Sequence, residues 1–229
     1  MVERMAEQTG MPKPGDWPAY FDAVAGLPAR ETLLAALGRF EGENAHHGDT
    51  ESTERKQGRE REERIAVDIG CGDGRDAAEM LRRGWRVVAV DSEVEGIRRL
   101  EARVPAEARG RLSTVVARFE DAVWPECDLV NASFSIPHCS PADFPGLWEK
   151  IVRSLRAGGR FAGQFFGVND SWARRPDGVT RTYHTRAEVE GMLGTVDVEM
   201  LDEVERDGKT AFGEPKYWHV FHVVARKRT

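Results

Sequence analysis

Apolar and polar residues alternate along this chain in two rhythms. Short runs rich in β-branched residues, at 65–69, 85–91, 111–117, 129–132 and 160–166, predict strands. Between them apolar positions recur every three or four residues, which predicts helices over 76–83, 93–103 and 146–155. In the second of these Val94, Ile97, Leu100 and Val104 form the inward stripe. A further helix over 186–193, capped by Thr185, precedes strands at 196–205 and 218–225, which the turn at 207–215 joins as a hairpin. Strands that alternate with helices predict a mostly parallel sheet covered on both faces, and the hairpin adds an antiparallel edge.

The remaining segments are patterned differently. Residues 1–16 are polar, broken by Pro12, Pro14 and Gly15, and predict a loose tail. In the next stretch Pro18 suits a first helical turn and Gly26 a stop. Trp17, Tyr20 and Phe21 share one face there, either as core or as a cap over a pocket. A second helix follows Pro28 with Leu33, Leu34, Leu37 and Phe40 inward, so 17–40 reads as an N-terminal helical cap. Residues 41–64 carry eight acidic and five basic residues with Ala45 as the one aliphatic side chain. That is too little apolar surface to offset ordering entropy, and it predicts a polar linker. The stretch 167–184 is long for a connection, and its Trp172, Arg174 and Arg175 mark it as a substrate lid.

Composition narrows the function. At 229 residues, 40% hydrophobic and 31% charged, the chain suffices for one α/β domain with a substantial core. A net charge of −6, with no basic block beyond Arg226-Lys227-Arg228, argues against a general nucleic-acid binder. No apolar run approaches the roughly 20 residues of a membrane span, and the N-terminus has no signal-like apolar core. Cys71, Cys127 and Cys139 lack metal-ligand spacing. The expectation is therefore a cytoplasmic protein with no metal, membrane or nucleic-acid partner.

The chemistry concentrates at Asp68-Ile69-Gly70-Cys71-Gly72-Asp73-Gly74-Arg75, a strand end running through a glycine turn into a helix. Such a turn offers backbone groups and a helix start to a ligand. A dinucleotide fingerprint needs a third glycine at the sixth position, where this chain has Arg75. Asp68 is poised to orient a cationic ligand or the loop itself. Asp91 ends the next strand about 20 residues on, where an acid accepts ribose hydroxyls.

The glycine turn, Asp91 and the Gly158-Gly159 turn together resemble the class I S-adenosylmethionine (SAM) methyltransferases, over about 65–226. Within that superfamily, Tyr183-His184-Thr185 and the Trp218-to-His222 strand are similar to small-molecule enzymes of the tellurite-resistance and thiopurine type. The resemblance implies a Rossmann-like sheet of seven strands with a C-terminal hairpin, and a single methyltransferase domain over 17–229 whose SAM-binding core is 65–229. It implies methyl transfer by in-line displacement, with S-adenosylhomocysteine as the other product. Gly70, Cys71, Gly72, Gly74 and Arg75 would hold the methionine end, supported by Asp68, and Asp91 with Ser92 the ribose. Glu120 or Asp121 would meet the adenine with Phe119 against the ring, and Asn131, Ala132 and Ser133 would line the methyl-transfer side. Tyr20, Phe134, Trp172 and Arg174 are candidate acceptor contacts; His138 and His184 are candidate bases, each more readily read as an ordinary loop or cap histidine. The rivals are a nicotinamide-dependent dehydrogenase and a SAM-binding sensor without catalysis.

Overall fold

In a computed structural model the chain is described over residues 15–48, 63–175 and 178–229. The tail at 1–14 and most of the expected linker lie outside those residues. Helices α1 (Trp17–Ala23) and α2 (Glu31–Gly48) precede β1 (Ile65–Ile69), α3 (Arg75–Arg82), β2 (Arg86–Asp91), α4 (Val94–Arg103) and β3 (Leu112–Val116). Then come β4 (Cys127–Ala132), α5 (Phe144–Ser154), β5 (Leu155–Gly167), β6 (Tyr183–His184), α6 (Arg186–Leu193), β7 (Val196–Lys209) and β8 (Pro215–Lys227).

The sheet runs β3-β2-β1-β4-β5-β8-β7. Strands β3 through β5 pair in parallel, and β8 lies antiparallel between β5 and β7. The expected seven strands become eight, because Tyr183 and His184 pair in parallel with Phe166 and Gly167 beyond the last β4–β5 pair. Two residues are too short to show in a period-two pattern.

Alternation along each inner strand sends neighbours to opposite faces. Ala66, Leu129, Ala162 and Val224 join a core with α2, α3 and α4. Val67, Val130, Phe161 and Val223 join another with α5 and α6. Covering both faces is what lets a parallel sheet bury its strands. On α2, Leu33, Ala36, Leu37 and Phe40 are buried at helical spacing. Val94 is a correction to the expected stripe: it is 65% exposed, because α4 turns Gly96, Ile97 and Leu100 inward instead.

Helix α2 also runs on to Gly48, eight residues past the expected start of the linker. Its extension is anchored by a distant partner: Glu43 Oε1 accepts from Arg160 Nη2 at 2.6 Å, while Arg160 Nε reaches Glu199 Oε2 at 2.8 Å. Burial opposes the charge on Arg160, and the two carboxylates more than offset it, raising its pKa. The Ala157-Gly158-Gly159 stretch is drawn into β5, where the β4–β5 register shifts and Gly158 has φ +75°. Helix α6 opens on a capping box, with Thr185 Oγ1 accepting from Glu188 N–H and the Glu188 carboxylate accepting from Thr185 N–H. No helix among the described residues is long and apolar enough to cross a membrane.

Candidate active site

Strand order reverses at β1, with β2 on one side and β4 on the other, so the loops leaving their carboxyl ends diverge over a cleft. Tyr20, Arg30, Asp68, Asp76 and Ser133 line it together with the glycine turn. The turn is left-handed at Gly70, Gly72 and Gly74 (φ +67°, +54° and +80°). A Cβ on Gly70 would sit 2.3 Å from Ser135 Cβ, and one on Gly74 2.2 Å from Leu100 Cδ1. Gly96, unmarked in the sequence, lets α4 close on the turn, since a Cβ there would lie 2.9 Å from the Gly72 carbonyl oxygen.

Four of the turn's N–H groups bond within the protein. Gly70 and Cys71 both donate N–H to the Val90 carbonyl (2.8 and 3.0 Å), and Gly74 donates to the Cys71 carbonyl (2.9 Å). Gly72 N–H donates to Asp91 Oδ2 at 2.7 Å, and Asp91 Oδ1 accepts from Glu93 N–H at 2.8 Å. Asp91 therefore braces the turn, yet a carboxylate has about four acceptor positions, so capacity for ribose hydroxyls remains. Burial raises its pKa, with those backbone donors acting in opposition.

Carboxylates gather beneath the turn. Asn131 Nδ2 donates to Asp68 Oδ1 at 2.7 Å and to Asp76 Oδ2 at 3.2 Å, and its own Oδ1 accepts from Ser133 Oγ at 3.2 Å. Burial, and then the neighbouring Asp76, push Asp68 up to about 8. Two arginines adjoin this cluster and line the cleft: Arg75 Nε lies 3.9 Å from Asp76 Oδ1, and Arg30 N–H donates to the same oxygen at 2.9 Å. Arg30 Nε is buried without a hydrogen-bond partner among the described residues, and burial lowers the pKa of the guanidinium. Acids beside arginines fit a zwitterion carrying an additional cation: the amino-acid and sulfonium portion of SAM.

The other expected cofactor residues divide. Ala132 is buried at the end of β4, Ser92 is exposed beside Asp91, and burial pushes the Cys71 thiol up. Phe119 packs against the core on the α5 side. Glu120 pairs with Arg118 Nη2 at 2.7 Å, and Asp121 is exposed. None of these three lines the cleft described above. Arg30, Asp76 and Gly96 are the contributors that residue spacing missed; an Asp one helical residue past a glycine turn was the available signal for Asp76.

On the acceptor side, His138 meets Trp17 at 5.2 Å between ring centroids, and Trp17 meets Tyr20 at 5.8 Å. His184 does not join them. It is buried against Phe144 and Phe165 (4.7 and 5.7 Å) in the core, where burial lowers its pKa. Pairing of β6 with β5 draws the ring inward, away from the cleft. The expected lid is tied at both ends: Val168 N–H donates to the His184 carbonyl at 3.1 Å, and Thr182 N–H to the Pro137 carbonyl at 2.8 Å. Within it Asp170 pairs with buried Lys216, whose Nζ lies 3.7 Å from the Trp172 ring centroid, while Arg174 is exposed. On the hairpin, Glu203, Glu205 and His219 bring ligand-type atoms together. His219 Nδ1 accepts from Asn169 N–H at 3.1 Å, which puts the proton of the neutral ring on Nε2, toward Glu203 at 3.0 Å.

Strand order, closing hairpin and a glycine turn coupled to the acid ending β2 define the class I methyltransferase fold. Residues 66–159 match the family model described as a methyltransferase domain. Over 70 residues the chain is 39% identical to the magnesium-protoporphyrin O-methyltransferase of Rhodobacter capsulatus, an alignment spanning 31% of each protein. The chain thus spans about a third of that curated relative. The fold is similar to TehB from Haemophilus influenzae (TM-score 0.61, 14% identity, covering 73% of this chain and 59% of that one). It is also similar to the 1,6-didemethyltoxoflavin-N1-methyltransferase of Burkholderia thailandensis, solved with S-adenosylhomocysteine (TM-score 0.56, 21% identity, covering 90% and 93%).

Proposed function

We propose that the chain transfers a methyl group from SAM to a small-molecule acceptor. The observation that carries this is the glycine turn beside a carboxylate cluster. The dinucleotide fingerprint's third glycine is absent, with Arg75 in its place, whereas a carboxylate cluster suits a sulfonium amino acid. Bound SAM supplies a methyl group already activated for displacement.

The chain's own residues then bind, orient and exclude water. Asp68 and Asp76 face the ammonium end, Arg30 and Arg75 its carboxylate, and Asp91 the ribose. Ser133 and Phe134 bound the reacting side, and the adenine would run past Asp91, whose carbonyl accepts from Ala117 N–H at 3.0 Å, toward Phe119 and Glu120 or Asp121 outside the cleft described above. His138, against Trp17 at the wall beyond Tyr20, is the candidate to take a proton from an acceptor that holds one. The N-terminal helices close this end of the cleft through Tyr20 and Phe21. Three free, buried thiols suit a reducing, cytoplasmic setting. Isothermal titration with SAM and with NAD tests the proposal: micromolar SAM binding and none for NAD is expected, and the reverse would overturn it.

A further inference from the structure

The described residues 117–126, which join β3 to β4, contain no helix and only a single turn. In it Asp121 and Ala122 both donate N–H to the Arg118 carbonyl, at 3.0 and 2.9 Å. One turn leaves its trailing carbonyls without partners of its own, and here a distant cation collects them. Lys150, on α5, donates from Nζ to the carbonyls of Phe119 (3.0 Å), Glu120 (2.8 Å) and Ala122 (2.8 Å). An ammonium has three donors, which the three carbonyls match. Nζ also lies 4.3 Å from the centroid of the Trp124 ring. Burial holds the turn only loosely, since Arg118 and Asp121 are exposed and Phe119 and Glu120 half-buried. Its near end is fastened to the acid that ends β2, where Ala117 N–H donates to the Asp91 carbonyl at 3.0 Å. Phe119, Glu120 and Asp121 are thus suspended between two anchors, Asp91 on one side and Lys150 on the other. Recognition by hydrogen bond needs its acceptor held to within about 0.5 Å, by supporting groups that are themselves locked.

We infer that Lys150 is a positioning residue, which fixes this turn so that one of its acids accepts from the adenine amino group of the cofactor. The inference rests on the SAM reading above and adds the residue that shapes its adenine end. Calorimetry would compare S-adenosylhomocysteine with its inosine analogue, in which an oxygen replaces the adenine amino nitrogen. The wild type should bind S-adenosylhomocysteine about tenfold tighter, the worth of one such hydrogen bond. Lys150→Met keeps a long apolar stem beside Trp124 but removes the three donors. It should erase the preference by weakening S-adenosylhomocysteine alone. The inosine analogue should stay within about twofold of its wild-type affinity, since it never made the bond, and its binding certifies folding. Lys150→Arg, whose planar fork cannot converge on three carbonyls, should keep an intermediate preference, and it decides the matter if Lys150→Met binds neither ligand. A wild type without base preference, a full preference retained in the deciding variant, an equal loss for both ligands, or loss of all binding in both variants overturns the positioning role alone. Failure of S-adenosylhomocysteine to bind the wild type overturns the cofactor assignment and this inference with it.

Discussion

Substituting Asp68→Asn isolates the buried carboxylate cluster. The amide keeps an oxygen for Asn131 Nδ2, which donates to Asp68 Oδ1 at 2.7 Å, but removes the charge facing Asp76. Burial and Asp76 raise Asp68 to about 8, against about 3.9 for an unfolded aspartate. Over that interval the folded chain keeps a proton that the unfolded chain has released. Stability therefore falls as pH rises through the window and levels off above the folded pKa, the reverse of a salt-bridged aspartate. At about 1.4 kcal/mol per pK unit the ceiling is roughly 6 kcal/mol, of which about 3 lies between pH 6 and pH 9. Urea unfolding of both proteins at those two pH values should show the variant gaining about 3 kcal/mol on the wild type at the alkaline end. Calorimetry at pH 7 in buffers of differing ionisation enthalpy adds a second arm. A cationic ligand that re-ionises Asp68 should release up to about one proton from the wild type and none from the variant. A stability gap that does not move with pH would refute the assignment of the high pKa to this site.

Two further substitutions probe the turn. Asp91→Ala strips the acceptor from Gly72 and Glu93 N–H groups and from the ribose; SAM affinity measured by calorimetry should drop about 10–100-fold, or 1–3 kcal/mol, and an unchanged affinity would leave Asp91 without a ribose role. Gly74→Ala forces a Cβ to 2.2 Å from Leu100 at φ +80°, so chemical denaturation should show a loss of about 3 kcal/mol; a loss under about 1 kcal/mol would mean that the turn and α4 separate freely.

Local signals carried most of the fold. Each strand-helix pair announces itself by a change of period, and Gly70, Gly74 and Thr185 are placed by backbone requirements that only nearby residues set. What the sequence concealed depends on distant partners. Helix α2 extends into charged sequence because Glu43 finds Arg160, 117 positions away. His184 sits beside a promising loop yet packs inward, since two residues of strand pairing decide its direction. The glycine spacing identified a ligand turn, but that its amides bond internally follows from Val90 and Asp91, whose positions relative to the turn emerge only once β1 and β2 align.

The stretch between Val168 and Thr182 is held at each end by backbone hydrogen bonds, to the His184 and Pro137 carbonyls. An excursion fastened at both ends can change length at little cost, because closure entropy grows only with the logarithm of loop size. The glycine turn, by contrast, is wedged between Ser135 and Leu100 and tolerates almost no added atom. The two parts therefore tolerate change differently: the exposed middle of the excursion around Arg174 can be rewritten without disturbing the sheet, while the glycine turn stays frozen by its own packing.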